Sequence, residues 1–100
     1  MEWKGGVMKN VIYKFNIDIS DLQTINVNEG ARVISAKEQS ANLITIWVLT
    51  DLDSKQRPKN IQVIGTGNLI EYNVSSNDWD FVDTVIMSNG LVWHIFADKM

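Results

Sequence analysis

The chain has no cysteine, a single proline and a single histidine among its 100 residues, and each scarcity removes a class of protein. Without thiols there are no disulfide staples, no thiolate metal site and no cysteine nucleophile. One histidine, His94, falls short of the converging imidazole, thiolate and carboxylate ligands of a metal centre, and no spacing in the chain supplies the rest. Excess positive charge is also missing: 9 basic against 12 acidic side chains give a net charge of −3, whereas non-specific nucleic-acid binding relies on a net cationic surface. The acidic excess is in turn too small to mimic a phosphate backbone. No run approaches the roughly 20 apolar residues of a spanning helix, and the opening Met-Glu-Trp-Lys-Gly-Gly-Val lacks the basic start and apolar centre of a signal peptide. No membrane partner and no cofactor are expected.

What is present is β pattern. Hydrophobic residues make up 45% of the chain, enough for one core, and a length of this order suits one domain. Residues 1–8 share no pattern with the rest of the chain and are read as a leader or a mis-assigned start, with Met8 as the natural initiator; residues 9–98 form a single all-β domain. Val11 to Phe15 alternates, with Val11, Tyr13 and Phe15 on one side. A short strand comes next at Thr24 to Val27, then a turn at Asn28-Glu29-Gly30. Arg32 to Gln39 alternates again, with Val33, Ser35 and Lys37 opposite Arg32, Ile34, Ala36 and Glu38. Leu43 to Leu49 is β-branched and apolar on both faces, which favours a central strand over a helix of equal length. Thr50 to Asn60 reads as a solvated loop around Pro58, with Lys55, Arg57 and Lys59 its basic run. Asn60 to Ile64 is a strand ending at Gly65-Thr66-Gly67.

The strongest local signal is Phe81 to Met87 and Leu91 to Phe96 around Ser88-Asn89-Gly90. Asn-Gly favours the positive φ angles of a tight hairpin turn. A two-residue loop at Asn89-Gly90 pairs Met87 with Val92, Val85 with His94 and Asp83 with Phe96. It places Asp83 on the face of His94 and the hairpin in the middle of the body. The fold class is therefore all-β, a small antiparallel barrel or sandwich of six to seven short strands with no substantial helix. Both Leu43 to Leu49 and the last hairpin carry apolar groups on two faces, and no helix exists to cover the second. Either the sheet closes into a barrel or a second copy or partner protein covers the exposed face, with self-association the leading expectation.

Candidate binding residues are Gly65, Thr66, Gly67, Trp93 and His94; no catalytic set and no metal set is assigned. Glycines let backbone N–H groups approach an anion, yet Gly-Thr-Gly is too short for a nucleotide fingerprint and no helix comes after it. A tight corner at a strand end is the plainer role. The aromatics Trp47, Trp79, Trp93, Tyr13, Tyr72, Phe15, Phe81 and Phe96 would suit base stacking if basic residues accompanied them. In sequence their neighbours are Asp78, Asp80 and Asp83, so core and interface packing is the better account.

Val-Ile-Tyr-Lys-Phe at Val11, Gln23-Thr24-Ile25, Glu29-Gly30-Ala31, Ile46-Trp47-Val48-Leu49, Gly65-Thr66-Gly67 and the closing Leu-Val-Trp-His-Ile-Phe resemble a family of small uncharacterised proteins of bacteriophages and prophages. The likeness runs from Lys9 to about Phe96. Where members continue from Gly-Thr-Gly into His-Pro, this chain has Asn68-Leu69, which weakens a ligand role for that element. The resemblance implies a bacterial host cytoplasm and, by analogy with other small phage proteins, a non-enzymatic accessory factor that binds a host protein. The competing expectation is a small-molecule or nucleotide binder using the Gly65 to Gly67 loop.

Overall fold

Period-two alternation is realised as seven strands: β1 (Asn10–Ile17), β2 (Gln23–Asn28), β3 (Arg32–Ser40), β4 (Leu43–Asp51), β5 (Gln56–Gly65), β6 (Trp79–Ile86) and β7 (Val92–Asp98). The computed structural model describes residues 9–99, and among them there is no helix. The expected leader lies outside the described residues. A three-stranded sheet in the order β1-β4-β3 faces a four-stranded sheet in the order β2-β5-β7-β6, with every pairing antiparallel. The fold is a sandwich and not a closed barrel.

The core comes from alternate residues of the inner strands. Ile44, Ile46 and Val48 of β4 and Ile61 of β5 and Ile95 of β7 are fully buried, with Val63, Val85, Met87 and Ala97 packed among them. Tyr13 stands opposite Val48 and Phe15 opposite Ile46, so β1 turns the face expected of it inward. β4 is central, as its two apolar faces require: Trp47 and Leu49 point the other way, beside Lys14 and Ile12.

Several readings of the sequence change. The β6–β7 hairpin is shifted by one residue, with Ile86 opposite Val92, Val85 opposite Trp93 and Thr84 opposite His94. Its loop is Ser88-Asn89-Gly90: Met87 N–H donates to Leu91 O (2.8 Å), Gly90 N–H to Met87 O (2.9 Å), and Gly90 takes φ +89°. That is the three-residue hairpin loop with a left-handed glycine, which Asn-Gly serves as well as the two-residue one. The hairpin is also not in the middle, because β6 is a sheet edge.

In β3 a register shift at Ile34 resets the alternation, so that Ala36, not Ser35 or Lys37, joins Val33 in the core. β5 begins at Gln56, so the expected loop from Thr50 shortens to the 52–55 turn. Pro58 is tolerated because β5 pairs with β7 only from Ile61 onward, leaving one side of the strand free at Pro58. Lys59, expected to be solvated, is buried: its ammonium lies 3.6 Å from Asp98 Oδ1 and donates to the Asp98 carbonyl.

The two long seams of the sandwich differ. Along one, edge strands β3 and β6 meet, and the three register shifts among the described residues lie on these two strands. Bulges bend and twist an edge, which suits it to close over its neighbour. Asp83, expected beside His94, instead turns its carboxylate across this seam and accepts the Ala36 N–H at 3.2 Å. Glu38 of β3 completes the closure by accepting from Ser88 N–H at 2.7 Å and Asn42 N–H at 2.9 Å, which ties the two hairpin turns together. Along the other seam, edge strands β1 and β2 are not joined in this way.

Candidate functional site at the Gly65 end of the four-stranded sheet

The candidate residues converge because β5 and β7 are neighbours. Gly65 stands opposite Trp93 and Ile64 opposite His94, and the chain leaves β5 through a turn in which Asn68 N–H donates to Gly65 O at 3.1 Å. Gly67 holds φ +86°, a region costly to any residue with a Cβ. At Gly65 the requirement is space: a Cβ there would meet the Asn68 amide nitrogen at 2.6 Å and the Trp93 ring at 3.0 Å. The Gly-Thr-Gly element is thus a tight corner, which presents Thr66 to the outer face.

There Thr66 Oγ1 lies 2.7 Å from His94 Nε2, while Thr84 Oγ1 lies 3.0 Å from His94 Nδ1. A hydroxyl can donate or accept, so the two threonines hold the imidazole in either tautomer. A hydroxyl at this distance from an imidazole nitrogen is the geometry in which a base takes a proton. The group behind the imidazole is, however, the neutral Thr84, which does not stabilise an imidazolium as a buried carboxylate does. The arrangement orients the ring between its two hydroxyl partners.

Trp93 points to the opposite side of its strand from His94 and packs against the core, with its indole Nε1 buried and without a hydrogen-bond partner. The five candidate residues are therefore adjacent, but they serve two faces. A surface depression of about 340 Å³ at this end is lined by Gly65, Thr66, Asn68, Leu91, Val92 and Trp93. Among the described residues no group of three or more histidine, cysteine or carboxylate side chains comes together as a metal site.

Sequence reasoning missed the Thr66–His94–Thr84 array, since Thr84 faces His94 only in the true hairpin register. It also missed the basic surroundings of Trp47: Lys14 is its cross-strand partner, while Arg32 and Lys37 stand opposite its neighbours Leu49 and Thr45. Linear order hides this cluster.

On the outer face the β6–β7 ribbon forms three cross-strand rows: Ile86 with Val92, Thr84 with His94, and Phe81 with Phe96. Phe81 and Phe96 meet edge to face with ring centroids 5.5 Å apart. Ile86 is 73% and Phe81 58% exposed, whereas Gln62 and Ile64 on the same side of β5 are buried. The second face is covered near β5 and bare near β6.

Residues 8–100 match the family model described as domain of unknown function DUF7352. The chain belongs to this family. No curated protein and no solved structure matches the chain. The DUF7352 assignment spans the whole sandwich, including the Gly65 corner and the His94 array. It carries no activity with it.

Proposed function

We propose that this DUF7352 protein is a non-enzymatic binding module that associates through the outer face of its β6–β7 ribbon, in the first instance with a second copy of itself. The observation that supports this is the pair of apolar rows, with Ile86 and Phe81 exposed beside the half-buried Val92 and Phe96. Large apolar groups at the two ends of one face, with a hydrogen-bonded polar row between them, have the composition of an interface that both attracts and sets register. In keeping with the phage resemblance, the module acts as an accessory factor in a bacterial host cytoplasm, where a host protein competes for the same face. Sedimentation velocity tests this. The protein is expected to self-associate as concentration rises, and Ile86→Glu with Phe81→Glu to stay monomeric. A wild-type monomer at high concentration, together with no host protein lost from a pull-down by the double variant, would end the proposal.

A second reading is favoured by the convergence of Gly65, Thr66 and His94: a small-molecule or nucleotide binder at that corner. Thermal-shift measurements with nucleotides and cyclic signalling nucleotides decide it, since a ligand that binds the native state raises its apparent stability. Stabilisation that Thr66→Val abolishes would support it, and none at any concentration would dismiss it.

A further inference from the structure

The open seam contains a cavity that lies apart from the outer face of the β6–β7 ribbon and from the Gly65 corner. Between β1 and β2 a slot of about 120 Å³ enters the sandwich, walled by Tyr13, Phe15, Val27 and Val48, with Thr50 also in its lining. Thr50 follows Ile46 and Val48 in the alternation of β4, so its side chain is directed between the sheets. It is 4% exposed, and its hydroxyl is buried without a hydrogen-bond partner. Buried polar groups in native proteins are almost always paired, so an orphan in the lining of a cavity asks for a partner from outside. Of the other polar residues that line it, Gln56 donates to Asn28 Oδ1 at 3.2 Å and Asn28 donates to the Ser54 carbonyl, while Asn26 is exposed. Among the described residues no charged side chain lines the slot.

We propose that this slot is a binding site for an uncharged, planar, single-ring molecule bearing one hydrogen-bonding oxygen, with Thr50 Oγ1 as its anchor. Size, walls and charge agree on that class. An apolar cavity of about 150 Å³ accommodates benzene, so a slightly smaller slot with an open mouth holds one six-membered ring whose edge reaches the rim. Two aromatic and two valine side chains supply the apolar contact, and a single inward polar group fixes orientation, which is the usual division of labour in small-molecule sites. A charged ring substituent would lose hydration with nothing in the slot to compensate it.

Phenol is the probe, with benzoate as the charged control and toluene as the control without oxygen. In a titration followed by amide NMR, phenol is expected to shift Tyr13, Val27, Val48 and Thr50 saturably and benzoate to leave them unmoved. Thr50→Val keeps the shape of the side chain and removes the orphan hydroxyl, so the fold is retained. It should weaken phenol binding by about fivefold, the worth of one hydrogen bond, and leave toluene binding unchanged. Phenol binding that Thr50→Val does not alter, shifts located elsewhere, or a phenol-soaked crystal with only water in the slot would each overturn the proposal. So would shifts at these residues that track protein concentration without phenol, which would mark the slot as a contact between copies.

Discussion

The two seams of this sandwich solve the same problem in opposite ways. Where β3 meets β6, bulges bend both edges, Asp83 reaches across to the Ala36 amide and Glu38 ties the two hairpin turns together. Where β1 and β2 flank the other side, a slot runs in to a buried, unpaired threonine hydroxyl. At the β3–β6 seam carboxylates accept backbone N–H groups beside the core residues Val33, Ala36 and Val85, and among the described residues no such carboxylate contact joins β1 to β2. Carboxylate acceptors of this kind make hydrogen bonds stronger than neutral ones, and loss of Asp83 leaves the buried Ala36 donor unsatisfied, whereas the Ser88 and Asn42 donors of Glu38 are exposed.

The largest effect is expected where the two seams share a support. Ile46 of β4 is fully buried between them, and Ile46→Ala should cost about 2–5 kcal/mol through lost burial and the cavity left behind. Urea denaturation should show both seams lost in one transition; separate transitions would mean that they are independent. Next in size, Asp83→Ala strands the Ala36 amide and should cost about 1–3 kcal/mol. The counterpart at the open seam, Asn26→Ala, removes an exposed side chain and should stay within about 0.5 kcal/mol. Equal costs would erase the contrast.

The clasp at Glu38 gives a pH signature. The Asn42 N–H, followed by the Ser88 N–H, holds this carboxyl below the ordinary glutamate range against a smaller opposing effect of burial, with the Ser88 hydroxyl adding least. A depressed folded value means that the contribution to stability is complete above the ordinary glutamate pKa and is lost as pH falls through the lowered one. Acid titration should therefore loosen the hairpin turns, seen as a falling protection factor of the Ser88 amide relative to its intrinsic rate at each pH. In Glu38→Ala that amide should have a low protection factor at every pH. Smallest of all, Thr50→Val removes an unpaired hydroxyl and should leave stability unchanged or slightly raised; a marked loss would show that the hydroxyl is already satisfied in the native fold.

Much of the architecture was legible. Alternation in Val11 to Phe15 set the inward face of β1, and the two-faced run from Leu43 to Leu49 marked β4 as central. The failures have physical causes at a distance. Asn89-Gly90 suits loops of two or three residues, and the longer one is held by Glu38, fifty positions away in the chain. Bulges at Ile34 and Val82 reset which residues face inward, and nothing local announces them. Lys59 looked solvated because its partner Asp98 lies 39 residues away. At the candidate site, Gly65, Thr66, Trp93 and His94 were found as types, but the pairing of His94 with Thr84 depends on the register that the loop decides. The slot at Thr50 arises between strands that are not sequence neighbours, so no linear pattern contains it.

Native-state amide hydrogen exchange tests the unequal seams most directly. The Ala36 and Ser88 amides, both bound by carboxylates across the β3–β6 side, are expected to exchange far more slowly than the outward-facing amides of β1 and β2. Equal rates on the two sides, or slower exchange along β1 and β2, would contradict the unequal closure of the seams.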